Sequence, residues 1–171
     1  MNDRLPLDFY LRDVLEVAPA LIGKLLVRRF EDGRVEYYRI TETEAYRGIE
    51  DLACHASKGR TPRTDVMFQQ GGRVYVYLIY GMYWMLNMVA GHEGEAFAVL
   101  IRGIEGFKGP GLVGRALQLD RSFYGEDLAT SARLWVEDAE LVAEIKTSKR
   151  IGIKYAGEEW ENKLWRYYIK P

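Results

Sequence analysis

The sequence predicts an α+β domain, rich in strands and poor in helices. Short apolar segments that alternate with polar residues recur along the chain, separated by glycine-bearing turns. Helical patterning is confined to a few short stretches. The 171 residues, 48% hydrophobic and 29% charged, suffice for one folded unit with a single core, residues 1–171.

Residues 6–23 have helical character, with an interruption expected at Pro19 because proline removes a helix donor. Residues 24–30 then alternate as a strand. Glu31-Asp32-Gly33-Arg34 carries an Asp-Gly turn signal, and residues 35–46 form the returning strand. Residues 47–73 hold Gly48, Gly59, Pro62, Gly71 and Gly72 and form a long irregular loop, the kind of segment that carries function. Residues 74–80 alternate again, Gly81 supplies a turn, and residues 82–89 return. Residues 96–102 are an apolar strand. Pro110 occupies a first-turn position ahead of Leu112, Leu117 and Leu119 on a short helix. Residues 134–136, 149–154 and 164–169 are further strand candidates.

Composition limits the chemistry. Lys and Arg number 24 against 25 Asp and Glu, so the chain as a whole lacks the basic excess of a protein that coats nucleic acid. Charge is nevertheless uneven. Lys58, Arg60, Arg63 and Arg73 make the long loop net positive, and Lys146, Lys149, Arg150 and Lys154 form a second basic run. A single cysteine, Cys54, excludes an internal disulfide and a four-cysteine metal or iron–sulfur centre. With only two histidines, the chain also lacks the ligands for a protein-only zinc site, so no metal is expected. Residues 1–14 mix acids and bases with apolar residues, unlike a secretory signal. The uncharged run 74–90 is threaded with tyrosines and broken by Gly81, which argues against a membrane span.

Glu42 and Glu44 lie two apart on a predicted strand, on one face with Ile40 and Tyr46. A carboxylate beside an aromatic wall can act as a general base, although spacing does not choose between the two. His55 follows Cys54, but neighbours in sequence rarely face each other as a nucleophilic pair. Residues 109–114 match G-x-G-x-x-G literally, without the strand leading into it or the acid that a dinucleotide site requires. They are better read as a tight helix start. Tyr75 and Tyr77 share a strand face, whereas Tyr80 falls at a hairpin tip, where a projecting aromatic beside basic loops can wedge between stacked bases.

Taken in order, Glu42-Thr43-Glu44-Ala45-Tyr46, Asp51-Leu52-Ala53-Cys54-His55-Ala56, Gly59-Arg60-Thr61-Pro62-Arg63-Thr64, Met67-Phe68, Tyr75-Val76-Tyr77, Tyr80-Gly81-Met82-Tyr83 and Asn87 resemble the alkyladenine (3-methyladenine) DNA glycosylase family. Val99-Leu100-Ile101-Arg102, Gly109-Pro110-Gly111, Arg150-Ile151-Gly152-Ile153 and Trp165-Arg166-Tyr167-Tyr168-Ile169 extend the likeness over nearly the whole chain. The resemblance implies a curved antiparallel sheet with a protruding hairpin and peripheral helices. It implies a monofunctional hydrolase that flips alkylated purines out of double-stranded DNA and cleaves their N-glycosidic bond, without metal or organic cofactor. It implies Glu44 as general base and Arg102 as holder of the water and sugar phosphate. Tyr46, Tyr77, His55 and Asn87 would surround the base. Tyr80 would fill the vacated stack, with Thr61, Arg63 and Met67 as further DNA contacts. A short, prokaryotic-type, cytoplasmic and nucleoid-associated monomer is expected. Trp84, Met85 and Leu164 depart from the family's usual residues, and no lysine matches a Schiff-base nucleophile. Two other readings are a non-catalytic nucleic-acid-binding domain on the same sheet and, from the Gly109 turn alone, a dinucleotide-binding oxidoreductase.

Overall fold

The computed structural model describes residues 3–141 and 143–170; the outermost positions of the expected 1–171 unit lie outside them. Helices α1 (Leu7–Tyr10) and α2 (Val14–Leu21) precede a hairpin of β1 (Leu25–Arg29) and β2 (Val35–Arg47). The loop after β2 contains two single turns of 3₁₀ helix, His55–Lys58 and Asp65–Phe68. Strands β3 (Val74–Ile79), β4 (Tyr83–Ala90), β5 (Phe97–Ile104) and β6 (Phe107–Lys108) follow, then α3 (Pro110–Ala116) and β7 (Leu134–Glu137). The chain ends with β8 (Lys146–Ser148), α4 (Glu158–Glu161) and β9 (Arg166–Tyr168). The sheet runs β3-β4-β5-β2-β1-β7, β6 pairs with β5, β9 pairs with both β2 and β8, and every pairing is antiparallel. The α+β sheet with a projecting β3–β4 hairpin and helices at its periphery agrees with expectation. Among the described residues no helix is long and apolar enough to cross a membrane.

Three local expectations are corrected. The amino-terminal helical stretch breaks before Val14 and not at Pro19. Asp13 starts a new helix there by accepting the Leu15 N–H at 2.9 Å, while Pro19 sits in the last turn of α2. Residues 149–154 are not a strand. Gly152 has φ +77°, the Arg150 side chain is buried against Asp51, and the Ile151 N–H donates to Glu44, both partners distant in sequence. Ile40 does not share a face with Glu42, Glu44 and Tyr46. The β2–β5 register shifts on both sides of Glu42, so Ile40 joins the main core with Ala45 and Ile104.

Alternation divides the two faces of the sheet. Val74, Val76, Leu86, Met88, Val99 and Ile101 enter the main core beneath α2 and α3. Thr43 on the same side donates from its hydroxyl to Ala18 O at 2.9 Å, tying β2 to α2. The opposite face carries Tyr75, Val89 and Ala98 against a smaller cluster from the long loop, including Ala56, Val66 and Met67. The loop is therefore packed onto the sheet and walls off one of its faces.

Candidate active site

Sheet register builds the site. Tyr75 on β3 pairs with Asn87 on β4, Asn87 with Leu100 on β5, and Leu100 with Glu44 on β2. Residues in such a row point to one side. With Tyr46 and Tyr77 one alternation away, the row faces the long loop and the turn around residue 152. Between them lies a cavity of about 490 Å³, lined by Tyr46, His55, Tyr77, Asn87, Arg102 and Ile151 among others. That volume is in the range of small-molecule sites.

Glu44 has no exposed surface. Its Oε1 accepts the Tyr46 hydroxyl at 2.7 Å and lies 3.6 Å from Arg102 Nη1, while its Oε2 accepts the Ile151 N–H at 2.7 Å. Burial raises its pKa above the usual carboxylate value, against the opposing pull of Arg102 and the two hydrogen bonds. Glu42 is engaged differently. Its Oε2 accepts Arg102 Nε at 3.1 Å and Arg166 Nε at 2.6 Å. Arg102 is the extra residue where Gly103 and Ile101 pair with the consecutive Glu42 and Thr43, and this bulge lets one guanidinium reach both glutamates. The two glutamates thus differ in surroundings: Tyr46, Arg102 and Ile151, which surround Glu44, all line the cavity, whereas Glu42 is held by Arg102 and Arg166.

The aromatic walls are fixed by their neighbours. His55 Nδ1 lies 2.9 Å from the Tyr75 hydroxyl, and the His55 ring meets Tyr77 edge-on at 4.6 Å. Burial, with Arg63 and Lys58 nearby, pushes the His55 pKa down to about 4, so the imidazole is neutral at neutral pH. Burial lifts the Tyr77 phenol to about 12. Asn87 donates from Nδ2 to Tyr75 O at 3.3 Å. Cys54 is no nucleophile: its thiol packs 3.9 Å from Ala96 O, and burial pushes its pKa to about 12.

At the hairpin tip Tyr80 is 84% exposed. Tyr80 and Gly81 have φ of +53° and +65°, the positive pair that tight hairpin turns use, closed by Met82 N–H to Ile79 O at 3.1 Å. A bulky residue held at positive φ costs free energy. Arg63 is exposed, with its guanidinium 5.1 Å from the Tyr77 ring. Thr61 is exposed and closes its turn through Thr64 Oγ1. Met67 is 1% exposed and lines the cavity, so it reaches only what enters there.

Residues 8–108 and 105–171 match the methylpurine-DNA glycosylase family. A protein of Methanocella arvoryzae is 47% identical over 97% of this chain and 92% of its own length. One of Legionella pneumophila (strain Corby) is 46% identical over 98% and 94%, and one of Borrelia garinii 43% over 95% and 94%. Each of the three carries the name "Putative 3-methyladenine DNA glycosylase".

The chain belongs to the methylpurine-DNA glycosylase family.

It is accordingly an enzyme of the DNA glycosylase class, a hydrolase of N-glycosidic bonds. Among the described residues of this glycosylase, no group of three His, Cys, Asp or Glu is placed to hold a metal ion. The G-x-G-x-x-G stretch serves packing. Gly109 has φ +106° at the start of α3, and a Cβ on Gly114 would stand 1.9 Å from Trp84 O, so the helix lies directly on the β4 backbone. Of the departures from the family's usual residues, Met85 lines the cavity and Leu164 is exposed ahead of β9.

Sequence reasoning missed three participants. Ile151 acts through its backbone N–H, which residue identity does not advertise. Asp51 and Arg150, 99 positions apart, form an ion pair at 2.6 Å with neither side chain exposed. Arg150 is thereby removed from the solvated basic run in which its neighbours suggest it belongs. A buried acid and a buried base of unmatched local charge are the signal for such a pair, and neither is visible without the fold.

Proposed function

We propose that this glycosylase takes alkylated purines, 3-methyladenine foremost, out of duplex DNA and hydrolyses their N-glycosidic bond with a water activated by Glu44. The observation that carries this reading is the Glu44 carboxylate, fully buried just behind a cavity wall made by Tyr46, Arg102 and Ile151. Glu44 accepts a proton from the water, the water oxygen bonds to C1′ of the deoxyribose, and the electron pair of the glycosidic bond departs with the purine. The carboxylate also stabilises the positive charge that develops on the sugar. General-base assistance of this kind is worth roughly 10²–10⁴ in rate.

Tyr46 and Tyr77 provide faces on which a flipped base stacks, worth roughly 1–3 kcal/mol per base. A cationic alkylpurine gains further from their electron-rich rings. His55 and Asn87 complete the walls. Arg102 orients the water and the sugar phosphate. In the free protein Tyr46 and Ile151 each donate to one Glu44 oxygen and Arg102 stands beside them, so each oxygen keeps a second acceptor site at which the attacking water is held. Tyr80 enters the stack that the base vacates, offsetting part of the few kcal/mol that flipping costs. Arg63, Thr61 and the remaining basic side chains of the loop hold the flanking phosphates, with Met67 at the cavity wall. The protein works as one domain, a monomer, in the cytoplasm and associated with the nucleoid.

The decisive experiment is single-turnover excision from alkylated duplex by Glu44→Gln. Base release is expected to fall by at least about 100-fold, with binding to lesion-containing DNA retained. A variant that excises at the unaltered rate refutes Glu44 as the base.

A further inference from the structure

Arg150 occupies a position that packing alone does not call for. Its Nη1 donates to Asp51 Oδ2 at 2.6 Å and to Ala45 O at 3.0 Å, and its Nη2 donates to Asp51 Oδ1 at 3.1 Å and Trp160 O at 3.2 Å. The guanidinium carbon lies 4.9 Å from the ring centroid of Tyr46 and 4.9 Å from that of Trp165. Tyr46 lines the cavity, whereas the Arg150 guanidinium, with no exposed side chain, does not border it and lies behind that wall. Asp51 is anchored in turn, Oδ2 accepting the Arg47 N–H at 2.9 Å and Oδ1 the Ala53 N–H at 3.0 Å.

A buried ion pair is expensive to desolvate, and apolar residues of the same shape are often as stable. Its position suggests what the charge does. An aromatic face attracts a cation through its quadrupole, and a second cation on the other face opposes that attraction. A purine alkylated at a ring nitrogen is cationic while attached to its sugar, whereas a deaminated purine is neutral. With Asp51 in place, the charge behind Tyr46 is cancelled.

We infer that Asp51 is a specificity-determining residue: by cancelling the Arg150 charge behind Tyr46 it keeps the preference of the pocket for cationic over neutral purines, which an uncompensated Arg150 would lower. The inference rests on Tyr46 being a base-stacking wall, as proposed above. A guest stacked at about 3.5–4.0 Å from the ring carries its charge about 8–9 Å from the guanidinium. At an effective dielectric of about 20–80, one uncompensated unit charge there changes the relative rates by roughly two- to thirtyfold.

The test compares single-turnover excision of 7-methylguanine, cationic in DNA, with that of hypoxanthine, neutral in DNA, from otherwise identical duplexes. Asp51→Asn leaves a net positive charge behind Tyr46 and is expected to lower the cationic-to-neutral ratio. Arg150→Met leaves a negative charge and is expected to raise it. The double variant Asp51→Asn/Arg150→Met restores neutrality and returns the ratio to within about twofold of the unaltered protein. A merely structural pair would lower both rates together and leave the ratio fixed, which overturns the inference. If Arg150→Met does not fold, Arg150→Gln, which keeps a donor toward Asp51 while removing the positive charge, takes its place; the ratio is expected to rise, and an unchanged ratio overturns the inference. An unaltered protein that excises neither base overturns the reading of the pocket and this inference with it.

Discussion

Replacing Tyr46 by Phe alters the surroundings of Glu44 while leaving the aromatic ring in place. The phenol donates to Glu44 Oε1 at 2.7 Å, the Ile151 N–H donates to Oε2 at 2.7 Å, and Arg102 Nη1 stands farther off at 3.6 Å. Burial already raises the Glu44 pKa against these contacts. A hydrogen bond to a charged group contributes about 1.5–3 kcal/mol. A water entering the vacated place recovers part of this, so the shift is smaller than the full contribution. The phenol favours the ionised carboxylate, and its removal therefore raises the pKa further. A general base works ionised, so excision rises with pH through that pKa, and the acid limb of the rate profile moves to higher pH. The plateau above the limb should change little, because the ring remains. The assay is single-turnover release of base from a methylated duplex across the acid to mildly alkaline range. An acid limb at the unaltered position, or at lower pH, refutes the coupling of this phenol to the proposed base.

Two further outcomes follow from other parts of the molecule. Gly114→Ala forces a methyl group against Trp84 O, where its Cβ would stand at 1.9 Å. It should destabilise the protein by at least about 1–3 kcal/mol, lowering Tm by roughly 3–10 °C in a thermal melt; an unchanged melt would show that α3 does not rest on β4 as described. Tyr80→Ser removes the exposed aromatic at the hairpin tip, and its affinity for lesion-containing duplex should fall more than for the same lesion in single-stranded DNA. Equal losses in a competition binding measurement would count against intercalation.

The hydrogen bonds from Tyr46 and Ile151 fix both oxygens of the buried Glu44 carboxylate in the free protein.

The sequence by itself determined the kind of fold and most of the side chains that meet at the cavity. Period-two alternation in residues 24–30, 35–46, 74–80 and 82–89, with Asp32-Gly33 and Gly81 between them, specifies two hairpins, because alternation and turn chemistry are local properties of the backbone. The order of the motifs around Glu44, Tyr46, His55, Tyr77, Asn87 and Arg102 indicated the family, to which the chain belongs. Spacing alone did not distinguish Glu44 from Glu42; the tertiary structure gives them different surroundings, Glu44 fully buried behind the cavity wall and Glu42 bound to Arg102 and Arg166. The two bulges that send Ile40 to the core and Arg102 between the glutamates depend on pairing with β5, some 60 residues away in sequence. Likewise Ile151 reaches Glu44 across 107 positions, and Asp51 reaches Arg150 across 99. Contacts of that kind are settled by how the loop and the turn pack on one face of the sheet, and a buried charge finds its partner there by proximity in space, for which neighbouring residues in the chain carry no signal.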